Sequence, residues 1–150
     1  MEGAEDMRAR VVAEAFRWID TPYRHQASRH MAGCDCLGLI RGIWRELCGD
    51  EPLDVPPYTP NWAESTGRET LLEAARSCLS PIDKSGTAAG HIMLFRMSPA
   101  APCKHIAVRA SEHTIIHAYW GRAVVESYLV PYWQKRHVYS FAFPPNTNQA

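Results

Sequence analysis

Gly33-Cys34-Asp35-Cys36-Leu37-Gly38-Leu39-Ile40 is the stretch whose reading decides the fold. Before it, residues 22–35 form a polar loop rich in Arg, His, Ser and Gly. After it, Leu37, Leu39, Ile40, Ile43, Trp44, Leu47 and Cys48 recur with helical period, so a helix starts near Cys36 and ends before Gly49-Asp50. The octapeptide thus sets a cysteine where loop becomes helix. First-turn N–H groups and aligned peptide dipoles stabilise a thiolate there, which predicts a lowered cysteine pKa and an exposed nucleophile. Cys36 holds that position, whereas Cys48 and Cys78 do not. Gly38 would let another chain pack close to the thiol; the plainer reading is a glycine tolerated in a helix at some cost.

Working outward, Val11, Val12, Ala15, Phe16 and Ile19 mark an earlier amphipathic helix over residues 5–19, stopped by Asp20-Thr21-Pro22. Glu51 to Pro60 holds four prolines and reads as an extended connector. Leu71, Leu72, Ala75, Cys78 and Leu79 mark a third helix ending near Pro81, with Thr66 and Glu69 as a capping box. After Gly86 the pattern turns to short β-rich runs: Ile92 to Phe95, Ile106 to Arg109, Thr114 to Tyr119, Val124 to Leu129 and Val138 to Phe143. Helices first and strands after predict an α+β domain with an antiparallel sheet.

The bulk composition agrees with one packed core. A chain of 150 residues, 46% hydrophobic and 21% charged, is near the commonest length for a single domain, here 1–150 with a loose tail from Pro144. Sixteen basic and sixteen acidic residues cancel, which leaves no general field for nucleic acid or an anionic membrane. Met1 to Asp20 is too charged for a signal peptide, and no apolar run approaches a membrane span, so synthesis in the cytoplasm without membrane insertion is expected. Five cysteines without regular spacing argue against a disulfide framework.

A cysteine nucleophile needs a base. Lys104-His105-Ile106-Ala107-Val108-Arg109 and Thr114-Ile115-Ile116-His117-Ala118-Tyr119 read as a hairpin. With a three-residue loop, Ala110 to Glu112, His105 faces His117 directly; an even-numbered loop without a bulge sends the two to opposite faces. The chemistry motivates the odd loop, because one imidazole can exchange the thiol proton while a third polar group orients that imidazole.

These segments resemble the NlpC-type cell-wall peptidases, a reorganised branch of the papain-like fold. The family pattern Gly-x-Asp-Cys-Ser-Gly-Leu falls on Gly33 to Leu39, and its His-aliphatic-Gly/Ala-aliphatic strand on His105 to Val108. Its third polar residue, often His before Ala, falls on His117. Pro22-Tyr23 matches a Pro-Tyr before the nucleophile loop, and Gly90 to Phe95 matches a strand usually starting Gly-Asp, with His91 in place of Asp. The resemblance implies N-terminal helices on a five- to six-stranded antiparallel sheet and a Cys36-His105-His117 triad. Tyr23 would support the oxyanion or substrate backbone, and Asp35 would help bind a free amino terminus of the stem peptide. Leu37 stands where the family has Ser, which changes that recognition. No metal or organic cofactor is required.

Small domains of this type without signal peptides also resemble those of phage tail modules and gene transfer particles. Carriage in a phage-like tail, with tail or baseplate proteins as partners, is therefore expected. A non-enzymatic alternative is a tail-tip or baseplate subunit that keeps the fold for docking. A zinc site from Cys34, Cys36, Cys103 and His105 fits the usual ligand spacing poorly. Of His25, His30, His113 and His137 most read as solvated, with His25 or His30 at the substrate entrance as the lesser alternative because their loop leads straight to Cys36, and the five tryptophans read as core or groove-wall aromatics.

Overall fold

The computed structural model describes residues 2–55, 58, 67–119 and 121–145. Helix α1 (Glu2–Arg17) is followed by a two-stranded ribbon, β1 (Ser28–Arg29) and β2 (Gly33–Cys34), then α2 (Cys36–Cys48) and α3 (Thr70–Cys78). The remaining elements are β3 (Ser80–Ile82), β4 (Ile92–Arg96), β5 (Cys103–Arg109), β6 (Thr114–His117), β7 (Val125–Tyr128), the short α4 (Pro131–Gln134) and β8 (His137–Ala142). The six strands β3 to β8 form an antiparallel sheet in the order β3-β8-β4-β5-β6-β7. This is the α+β architecture read from the sequence.

Strand alternation gives the sheet two apolar faces. Ile92, Leu94, Ile106, Val108, Ile116 and Phe141 join Val11, Ala15, Leu39, Ile43 and Leu71 of the helices in the main core. Met93, Phe95, Ala107 and Ile115 point the other way and are covered by Trp133 of α4. The short helix α4 and the strand β3 had no reading from the sequence. Pro81 looks like a helix stop, yet it sits in β3 at the sheet edge, where a missing N–H disturbs no ladder.

Two further readings are corrected. Glu69 forms no side-chain cap on α3; its carboxylate accepts from the Cys103 N–H at 2.9 Å and pairs with Arg96 instead. Thr66, its supposed partner, lies outside the described residues, as do Trp62, Trp120, Pro60 and residues 146–150 of the expected tail. His137 is buried rather than solvated, with Nε2 near Tyr139 O (3.1 Å) and Ser140 Oγ (2.7 Å). Its chain neighbours Lys135 and Arg136 suggest a solvated turn, but strand pairing with Phe95 turns it inward.

Candidate active site

The loop-to-helix junction at Cys36 is held from several directions. Asp35 is the N-cap of α2: its Oδ1 accepts from Gly38 N–H at 2.7 Å, its Oδ2 from Gln26 N–H at 2.7 Å and from the Tyr58 hydroxyl. Asp35 is buried, and the His25 ring stands 3.8 Å from Oδ2. The Tyr58 carbonyl in turn accepts from Gln26 Nε2 and lies 2.8 Å from His25 Nε2, which pins Tyr58 at the junction. A side chain at Gly38 would collide with the Ala27 carbonyl oxygen, so close approach of the loop is what requires glycine there. Tyr23 bridges Cys34, which brings it beside the same loop.

The register of the hairpin differs from the expected one by two residues. Arg109 pairs with Ile115 and Val108 with Ile116, and Thr114 O accepts from Ala110 N–H, so the loop is Ser111 to His113. The turn moves one residue along the chain because of local bonds: Ser111 Oγ meets Thr114 Oγ1 at 2.6 Å and accepts from His113 N–H. A slip of two keeps every side chain on its face. His105 and His117 therefore share a face, as diagonal rather than direct neighbours, with His105 Nε2 and His117 Nδ1 2.8 Å apart.

Ladder pairing of β5 with β6 stops at Val108 and Ile116. In the gap so opened, the Ile106 N–H is directed to the Cys36 sulfur, as is that of Leu37. The start of α2 is thus wedged against β5 at the peptide joining His105 to Ile106. The His105 ring stacks on Trp133 at 5.1 Å and meets Phe95 and Tyr119 at 5.6 and 5.4 Å, while His117 Nε2 lies 3.0 Å from Ser127 Oγ.

Burial controls the electrostatics. Cys36 is 8% exposed, and burial, reinforced by the Asp35 charge, pushes its thiol up to about 12 despite the two N–H groups. The lowered pKa expected from the helix start is therefore not what this closed site gives: desolvation of a thiolate outweighs two N–H groups and the first-turn dipole. Burial, then the nearby His117, holds His105 well below the ordinary imidazole range, and burial brings His117 down to about 4. Burial together with the Asp35, Cys36 and Cys34 charges raises Tyr23 to about 12. At neutral pH the site holds a thiol and two neutral imidazoles.

Cys36, His105 and His117 are thereby gathered around one strand, with Asp35 and Tyr23 on the loop that leads into Cys36. Asp35 faces inward, its oxygens engaged by Gly38, Gln26 and Tyr58. Tyr58 and Ser127 carried no signal in the sequence, since each acts through a contact between distant segments. All five cysteines are free thiols, and no group of three or more His, Cys, Asp or Glu among the described residues could hold a metal. The zinc arrangement finds no support in that geometry.

The NlpC/P60 family profile matches residues 20–141. The chain belongs to the NlpC/P60 family. Similar solved structures have the same fold. The NlpC/p60 domain of the peptidoglycan hydrolase SagA is 23% identical, with a TM-score of 0.64 over 91% of this chain and 98% of that one. A lipoprotein-like NLP/P60 family protein of Staphylococcus aureus is 16% identical, with a TM-score of 0.64 over 95% of this chain and 43% of that one. An NlpC/P60 family protein of Bacillus cereus is 16% identical, with a TM-score of 0.65 over 92% and 40%. This NlpC/P60 chain spans less than half of the two longer proteins. A comparison with curated proteins finds no match.

Proposed function

We propose that this NlpC/P60 chain is a cysteine peptidase acting on bacterial cell-wall peptide, with Cys36 as nucleophile, His105 as general base and His117 as the residue that orients it. The observation that carries the reading is the His105–His117 hydrogen bond on the strand against which the Cys36 sulfur is wedged. Because Nε2 of His105 is committed to His117, Nδ1 is the ring nitrogen left to exchange the thiol proton.

A neutral pair sets the order of events. His105 Nδ1 takes the thiol proton as the Cys36 sulfur bonds to the peptide carbonyl carbon. The carbonyl oxygen becomes an oxyanion, served by the Cys36 N–H and the Tyr23 hydroxyl. The C–N bond then breaks as His105 returns the proton to the leaving amine, which leaves a thioester. His105 next deprotonates a water that attacks the thioester, and the proton goes back to sulfur as the acid departs. His117 accepts a hydrogen bond from His105 Nε2–H throughout and stabilises the transient imidazolium.

The proposal includes action as a single domain on peptidoglycan stem peptide and carriage in a phage-like tail through tail or baseplate proteins, which rests on the sequence resemblance. Leu37, buried beside Cys36, replaces a polar side chain, and Asp35 is engaged internally. Recognition of a free amino terminus by Asp35 would therefore need Tyr58 to withdraw.

The test is digestion of purified peptidoglycan and of free stem peptides, with products identified by mass spectrometry. The parent protein should release cleaved stem peptide, and Cys36→Ala should release none. His105→Ala should lose nearly as much, and the double variant little more, because the two groups act in one step. Parental activity in Cys36→Ala would sink the reading. A second reading, a structural subunit with a silent site, is favoured by the burial of both Cys36 and His105, 8% and 4% exposed. It gains if the parent protein cuts neither substrate.

A further inference from the structure

We propose that Ser127 is a positioning residue of the same site: its hydroxyl accepts from His117 Nε2–H and so holds the two-imidazole chain in the one proton order that leaves His105 able to act as a base. The inference rests on the peptidase reading above and names a residue to which that reading gives no role. Its basis is geometric. His105 Nε2, His117 Nδ1, His117 Nε2 and Ser127 Oγ form a continuous chain, with contacts of 2.8 Å and 3.0 Å.

Two neutral imidazoles in that chain admit two orders. In one, His105 Nε2–H donates to His117 Nδ1, and His117 Nε2–H donates to Ser127 Oγ; His105 Nδ1 then carries a lone pair and accepts the thiol proton. In the other, His117 Nδ1–H donates to His105 Nε2, so His105 carries its own proton on Nδ1 and accepts none. Only the first order survives protonation of His105, since an imidazolium donates from both nitrogens.

Burial makes the end of the chain decisive. His117 is 2% exposed and neutral at pH 7, brought down to about 4 by burial, so solvent supplies no ready substitute for a missing partner. A buried N–H without an acceptor is costly, and orphaned buried donors are rarer than under-satisfied acceptors. Without an oxygen at residue 127, the first order would bury a bare N–H, and the second becomes the easier state. Ser127 also has somewhere to send its own proton: it lies half-buried on β7, the edge strand of the sheet, so it can donate to solvent while accepting from His117. Its neighbour in the ladder, Ile115, fixes its place, and His117 pairs two residues further along with Val125.

The test reads the tautomer directly, by long-range proton–nitrogen correlation spectra of protein labelled with nitrogen-15 histidine at pH 7. The parent protein should show His117 protonated at Nε2. Ser127→Ala should move the proton to Nδ1 and lower kcat on stem peptide roughly 10- to 100-fold, the range typical when a bond orienting a functional imidazole is lost, with KM unchanged. Ser127→Thr, which restores the hydroxyl, should recover both. His117 protonated at Nδ1 in the parent protein would overturn the proposal whether or not any variant folds. So would a Ser127→Ala protein whose His117 tautomer is that of the parent, even with reduced kcat. The spectra need no substrate, so failure of the peptidase reading shows separately, as activity retained in Cys36→Ala or absent in the parent.

Discussion

Cys36 and His105 are driven apart by the same burial, the thiol upward to about 12 and the imidazole well below its usual range. Both are neutral between these limits, so reactivity depends on proton transfer during attack rather than on a standing ion pair. Alkylation of Cys36 by iodoacetamide, followed by peptide mapping, should therefore climb steadily from about pH 7 to 10. A plateau below about pH 6 would reveal a thiolate–imidazolium pair and sink this account. Asp35 poses a different problem at the same scale. Removing its carboxylate leaves donors on Gly38, Gln26 and Tyr58 without their acceptor, in a site only 3% exposed. Loss of an N-cap alone costs about 1 kcal/mol, and each further orphaned donor adds about 1 or more. Asp35→Ala should thus lose roughly 3 kcal/mol in urea unfolding; a loss under about 1 would mean that the junction is not held by the carboxylate.

The element that matters most is α2, because its first turn carries Cys36, the proposed nucleophile, and its approach to the loop is set by one glycine. Alanine at Gly38 would gain about 1 kcal/mol of helix propensity. It would also drive a methyl group into the Ala27 carbonyl, a backbone atom that cannot step aside as a flexible side chain would. Overpacking of that kind costs about 1–3 kcal/mol and outweighs the gain. Gly38→Ala should therefore lower the urea midpoint and displace Cys36, seen as lost hydrolysis even where the variant folds. A stabilised, fully active Gly38→Ala protein would contradict the close approach. The hairpin behaves as a second such element. Its ladder stops at Val108 and Ile116, and the N–H released at Ile106 is taken by the Cys36 sulfur. Helix and hairpin are joined at that peptide.

Across the whole molecule, the sheet separates two apolar layers, and buried neutral histidines sit in the thinner one beneath Trp133. His117 and His137 are both held to about 4 against an ordinary 6.5, by burial in each case and, for His137, by the charges of Lys84 and Arg109 as well. Their folded values lie below their unfolded ones, so the unfolded chain binds more protons between these limits. Stability is complete above about pH 6.5 and falls as the pH drops toward 4, by roughly 3 kcal/mol for His117 at about 1.4 kcal/mol per unit. Glu51 and Glu69, held low by Arg41 and Arg45 and by Arg96 against the opposing effect of burial, extend the loss below about pH 4.5. Urea midpoints at pH 7.5, 5.5 and 4.5 should decline in that order. Equal midpoints at pH 7.5 and 4.5 would show that these rings are not buried neutral.

The sequence by itself determined the α+β class, the helix that starts at Cys36 and the strand bearing His105; the shared face of the two histidines followed only from the odd loop that the chemistry favoured. The class, the helix and the strand follow from local periodicity and from a loop-to-helix transition, both of which short segments specify. It did not determine the hairpin register, because a slip of two residues preserves parity and is settled by Ser111 and Thr114 in the turn. Nor did it show β3, where Pro81 reads as a breaker until the strand is known to lie at an edge. Only the tertiary structure decided which way the Cys36 pKa moves, since the helix start is local but desolvation depends on everything packed around it. For the same reason only the fold could bring Tyr58 to Asp35 and Ser127 to His117: a hydroxyl 23 or 10 residues away along the chain has no periodic signature.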